Sequence, residues 1–213
     1  MPASAEQKGQ LARRVMRGAA YLGVGQYALV AIGLIKTPIL ARLVAPEIYG
    51  VVALASSWVS FLGLLRMELP EIVISDPQHQ QARLVTQYLF EVGTALLGVV
   101  AALLLRLIAP QVAVTPVWQA IFALTAVRVF FALTSTPLYI LRRDIRQETL
   151  TRLTLIGGVA GALVSIGAAA LGYPLLSLLL DAALPVVVLG GGAWIAAGWR
   201  PTRTWDAQIA RDI

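Results

Sequence analysis

Three ionisable side chains stand alone inside long apolar runs. Glu91 is the sole charge between Leu84 and Leu105, Arg128 between Pro116 and Leu141, and Asp181 between Leu153 and Trp199. A charge near a bilayer centre costs at least ~2.5–3.5 kcal/mol on insertion scales, so each must face protein or a water-filled cavity. Two chemistries are open. Either acid can pair with Arg128 as a buried ion pair that locks the helices together. Alternatively, Arg128 attracts an anionic substrate along a transport pathway, and Glu91 or Asp181 binds a coupling proton or cation.

The rest of the inventory excludes most other chemistry. With no Cys there is no disulfide, thiolate zinc site or Cys nucleophile. A single His, His79, leaves no Ser-His-Asp triad and no His-based metal cluster. It sits in the polar stretch from Ser75 to Gln81 and reads as solvated. No catalytic residue, cofactor or metal is expected, and the chain is not expected to be an enzyme. A glycosyltransferase would need a soluble carboxylate-lined domain, and the longest predicted cytoplasmic loop, near residues 67–82, is far too short.

The elements that must position these charges follow from composition. Apolar residues make up 58% of the 213 and charged residues 13%, about half the charged share of a soluble domain. Mean hydropathy is +0.77. This is the pattern of an integral membrane protein. A helix needs about 20 mainly apolar residues to cross ~30 Å of hydrocarbon, and the charge-poor runs predict six transmembrane helices over residues 18–42, 47–66, 82–107, 117–141, 149–171 and 175–199. Pro46 followed by Glu47 reads as a helix first turn. Leu171-Gly172-Tyr173-Pro174 reads as a turn, and Pro137 and Pro185 should kink or unwind their helices locally. The expected architecture is an all-α polytopic six-helix bundle over residues 18–199. A cytoplasmic segment, residues 1–17, precedes it and a cytoplasmic tail, residues 200–213, follows.

Of the 17 Lys and Arg, 13 fall on one face of this topology and three (Lys36, Arg42 and Arg106) on the other; Arg128 lies within a span. The bias places both termini in the cytoplasm. It also accounts for the net charge of +6 through topology and anionic headgroups, so no nucleic-acid partner is implied. The first apolar run lacks a cleavage site and reads as an uncleaved span. Gly157-xxx-Gly161 suits close helix packing, within the chain in preference to a dimer face. The basic connection from Leu141 to Glu148 suits anchoring on anionic headgroups, or contact with a lipid diphosphate.

Several segments resemble one family. Leu40-Ala41-Arg42-Leu43-Val44-Ala45-Pro46-Glu47-Ile48-Tyr49-Gly50 resembles the helix 1–2 junction of the polysaccharide (oligosaccharide-lipid) flippases, within the multidrug/oligosaccharidyl-lipid/polysaccharide exporter superfamily. Leu65-Arg66-Met67-Glu68-Leu69-Pro70-Glu71-Ile72-Val73 is similar to an Arg-aromatic-Glu segment of one branch, with Met67 in place of the aromatic. Leu138 to Arg146 resembles the basic helix 4–5 loop, and Gly198-Trp199-Arg200-Pro201 the end of helix 6. The likeness runs over roughly residues 10–210.

The resemblance implies two lobes of six or seven helices facing each other across a central cavity. It implies movement of undecaprenyl-diphosphate-linked oligosaccharide to the outer leaflet by alternating access, with cavity cations neutralising the diphosphate. This chain corresponds to the N-terminal lobe. The second lobe is then expected from a homodimer or a separate chain, unless the chain is a truncated product. Substrate contact falls first to Arg128 and second to Arg66, with Glu91 and Asp181 as ion-coupling candidates. The expected partners are the lipid-linked glycan and membrane lipids. The expected setting is the bacterial inner membrane, in lipopolysaccharide or exopolysaccharide biosynthesis. The alternative from another class is a non-transporting membrane scaffold or half-lobe; a drug exporter is disfavoured by the helix 1–2 junction.

Overall fold

The computed structural model describes residues 5–64, 80–108, 110–111, 115–143 and 147–198. They form six helices and, among the described residues, no strand: α1 Ala5–Leu43, α2 Pro46–Leu64, α3 Gln80–Ile108, α4 Pro116–Arg143, α5 Gln147–Ala170 and α6 Pro174–Ala197. Five of them, α1 and α3 to α6, contain segments of 23 to 27 residues long and apolar enough to cross a membrane. At 1.5 Å per residue, the 19 residues of α2 reach about 28 Å, close to the hydrocarbon thickness. The expected all-α polytopic bundle is what the chain forms.

One boundary differs by more than a turn. α1 begins at Ala5, not residue 18, and runs for 39 residues. Hydropathy marks where a helix is apolar, not where it starts. Residues 5–17 are rich in Ala, Glu, Gln, Lys, Leu and Arg, all good helix formers, and contain no Pro. Residues 199–213, and with them the expected tail, lie outside the described residues.

The turns follow local chemistry. α2 opens with Pro46 at its first position and Glu47 in its first turn. α5 ends in a Schellman arrangement: the Gly172 N–H donates to Ala169 O and the Tyr173 N–H to Ala168 O, both at 3.0 Å. Gly172 takes φ +85°, a conformation that side chains resist, and Pro174 then starts α6. α6 ends on Gly198, at φ +60°, whose N–H donates to Trp194 O. Pro137 and Pro185 do not break their helices: α4 and α6 continue through them, as α1 does through Pro38.

In lipid, small residues decide which helices approach closely. A methyl group at Gly157 would lie 2.9 Å from Pro185 Cα, and one at Gly161 would lie 3.3 Å from the Pro185 ring. The Gly157-xxx-Gly161 face is therefore spent inside the chain, cradling the proline of α6. Gly190 likewise seats Thr134 of α4, and Gly192 seats Leu153 of α5. Where α1 meets α5, Gly25 takes Thr151 and Gly158 takes Leu29.

The resulting order runs α1 on α5, α5 on α6, α6 on α4 and α4 on α3, with α2 against α4. α4 is the most enclosed, with 39% of its span buried against 11% for α1, so charges on α4 must find protein partners. A core of Ala55, Ala102, Trp118, Ala120, Ile121 and Leu124 ties α2, α3 and α4 together. Leu40, Val44, Ala169 and Leu178 join α1, α5 and α6 nearby. Leu138, Leu141, Leu150 and Ala193 close the opposite end, which carries the α4–α5 connection and is called the basic end below. Outward-facing Tyr27, Leu34, Leu107 and Ile195 give the bundle an apolar exterior suited to lipid.

Candidate polar site within the membrane-spanning bundle

The sequence left two partners open for Arg128, and the structure assigns one. Glu91 of α3, nine-tenths or more buried, places Oε2 3.6 Å from Arg128 Nη1. Its Oε1 accepts a hydrogen bond from the Tyr139 hydroxyl at 3.3 Å. Arg128 and Tyr139 lie three turns apart on one face of α4, about 16 Å along the axis. Two long side chains thus converge on one carboxylate. The Arg128 guanidinium also lies over the Phe131 ring, 5.7 Å from its centroid.

Gln87 stands one turn before Glu91 on the same face of α3 and is 2% exposed. Its amide nitrogen and oxygen have no hydrogen-bond partner among the described residues. Thr94, on the other side of Glu91, donates to the Glu91 carbonyl at 2.9 Å. The α3–α4 seam therefore carries a polar strip through an apolar bundle. The flank of Arg128, 14% exposed as a side chain, reaches its edge.

Asp181 is not part of this cluster. Both its carboxylate oxygens accept from Lys36 Nζ of α1, at 2.6 and 2.7 Å. Lys36, counted above with the second membrane face, is thus engaged in an ion pair between α1 and α6. Lys36 lies seven residues before the end of α1 and Asp181 seven residues after the start of α6, so each is about 10 Å inside its helix at one depth. Both side chains are about one-quarter exposed.

Of the sequence-predicted site residues, the structure thus joins Arg128 to Glu91 and separates Asp181 from both. Arg66 lies outside the described residues, as does His79. Sequence reasoning missed Lys36, Tyr139 and Gln87. The i, i+4 spacing of Gln87 and Glu91 was available as a signal, as was the matching depth of Lys36 and Asp181. Nothing in the sequence marked Tyr139.

Chemically, the Arg128 cluster can hold one negative charge in exchange for another. Its cation is fixed in the most enclosed helix, and its present counterion is an ionisable group. No group of three or more metal-ligating side chains occurs among the described residues.

A family profile described as polysaccharide biosynthesis protein covers residues 39–213, which include the whole Arg128–Glu91 cluster and Asp181. No curated protein and no solved structure matches the chain.

Proposed function

The chain belongs to the polysaccharide biosynthesis protein family, and from that premise we propose that it is a flippase-type exporter, or one lobe of one. It moves lipid-diphosphate-linked oligosaccharide across the bacterial inner membrane by alternating access. A diphosphate with a string of sugar hydroxyls cannot cross hydrocarbon unaided, which is why such a step needs a protein.

The observation that carries this reading is the Arg128–Glu91 pair in the body of the bundle. An anionic headgroup that reaches Arg128 competes with Glu91 for the guanidinium. Once displaced, the Glu91 carboxylate takes up a proton or cation, and its return to Arg128 on release of the headgroup expels that ion. Substrate and ion then share one counter-charge, which couples them. Arg66 is a second contact for the headgroup, and Asp181, held by Lys36, is a second ion-coupling acid. Both termini face the cytoplasm, in keeping with the Lys and Arg bias. A facing lobe, from a second copy or a separate chain, completes the cavity.

The test is complementation of a flippase-deficient strain by this chain alone and together with a separately expressed second lobe. Arg128→Ala should abolish surface polysaccharide while membrane levels of the protein stay normal. Normal export by Arg128→Ala would overturn the assignment. Failure of the unaltered chain in both arms, with the protein in the membrane, would instead favour a non-transporting scaffold.

A further inference from the structure

At the basic end, α1, α4, α5 and α6 enclose a cavity of about 160 Å³, roughly five times the volume one liquid water occupies. It lies about 15–21 Å along α4 from Arg128 and shares no residue with the Arg128–Glu91 cluster or the Lys36–Asp181 pair. Its lining is sharply divided. Gln26, Arg142, Gln147, Thr151 and Thr154 supply polar groups, and six leucines supply most of the remaining wall.

Three independent features give the cavity a sign. First, α5 begins at Gln147, so the first turn of a 24-residue helix lies at its wall. The N–H groups there have no intrahelical acceptor, and the helix dipole favours an anion. Second, the exposed Arg142 adds a full positive charge, and no acid lines the cavity among the described residues. Glu148, next to Gln147 in the chain, is paired with Arg152, and Asp144 lies outside the described residues.

Third, the Thr151 hydroxyl is buried, in a residue 8% exposed, and has no hydrogen-bond partner among the described residues. A threonine inside a helix commonly donates to the carbonyl four residues back. Thr154 does so, to Leu150 O at 2.8 Å. Thr151 does not, although a buried hydroxyl left unpaired is costly. Its methyl is wedged against Gly25 of α1, which fixes the side chain at the cavity wall.

We propose that this cavity binds the phosphate of a lipid headgroup. The α5 N-terminus and Arg142 neutralise the phosphate, Thr151 and the two glutamine amides donate to its oxygens, and the leucine wall takes the start of the hydrophobic tail. Gln26 and Leu22 of α1 are exposed, leaving that side open for a lipid to enter. The same chemistry fits a membrane phospholipid and an isoprenyl-diphosphate carrier.

The test uses the purified full chain in detergent, with affinities read by native mass spectrometry. The probes are dioleoyl-phosphatidylglycerol, farnesyl diphosphate, and dioleoylglycerol as a control without phosphate. At least one phosphate probe should bind well above the control. Thr151→Val and Arg142→Gln should each weaken it by about tenfold, the scale of one hydrogen bond to a charged group, at an unchanged melting temperature. Phosphatidylglycerol binding that farnesyl diphosphate cannot displace identifies a resident phospholipid; displacement identifies the carrier. Phosphate probes that bind no better than dioleoylglycerol overturn the proposal. So does wild-type affinity in both variants, because it places the lipid elsewhere. Neither readout requires transport.

Discussion

Replacing Glu91 by Gln should destabilise the bundle by about 2–3 kcal/mol, and adding Arg128→Met should recover most of that loss. The magnitude comes from the pair's geometry. At 3.6 Å and an effective dielectric near 20, the Coulomb attraction is about 5 kcal/mol before desolvation is counted. An arginine without its carboxylate deep in a span costs ~2.5–3.5 kcal/mol. Two features reduce this. The Arg128 side chain keeps 14% exposure, and its contact with Phe131 is worth ~0.5–1 kcal/mol. Glutamine keeps an acceptor for Tyr139, so the Tyr139 hydrogen bond should survive. The double variant removes both charges, and such replacements in buried sites are often near neutral. A double-mutant cycle, measured by reversible unfolding in mixed dodecyl maltoside and dodecyl sulfate micelles, should therefore give a coupling of at least about 2 kcal/mol, since Arg128→Met alone leaves the buried Glu91 carboxylate without the Arg128 charge. A coupling below about 0.5 kcal/mol would refute the reasoning, because water would then be solvating the charges that the helices are argued to hold.

Further expectations are simple to check. Exchanging the partners, Lys36→Asp with Asp181→Lys, should restore most of the melting temperature that either single variant loses; no recovery would contradict the pairing. Gly157→Leu should cost about 1–3 kcal/mol of overpacking, since even a methyl there meets Pro185 backbone at 2.9 Å. Gly167→Ala, with nothing within 4 Å, should be neutral or stabilise by up to ~1 kcal/mol; equal behaviour of the two glycines in a melting assay would contradict the packing described. Gly172→Ala should lower stability by about 1 kcal/mol through its φ of +85°.

How far the sequence reaches depends on which force sets each feature. Hydrophobic transfer fixes where spans lie, and the charge-poor runs locate the six helices to within a few residues apart from the start of α1. Local backbone chemistry fixes turns, so Gly172 before Pro174, and Pro46 before Glu47, were legible. Partner choice between helices is different. Lipid tails are as apolar as leucine, so hydropathy says nothing about which helix lies beside which. Gly157 and Gly161 announced a close approach, but only the structure names Pro185 as what approaches. The same gap left Arg128 with two candidate acids. Lys36 escaped notice as the partner of Asp181 for a related reason: near a helix end, a lysine looks alike whether it reaches the headgroups or an aspartate on another span.

The ion pair between α1 and α6 has a consequence for how the protein is made. Lys36 and Asp181 are 145 residues apart, which at synthesis rates of roughly 5–20 residues per second separates their appearance by about 7–30 s. α5, the helix against which α1 chiefly packs, also emerges late. Through that interval the first helix must wait in the insertion machinery or the bilayer with an uncompensated lysine about 10 Å inside its end. The long side chain can meanwhile reach toward the headgroups. Arrival of the sixth helix then draws it inward, so completion of the bundle is signalled by a charge changing partners.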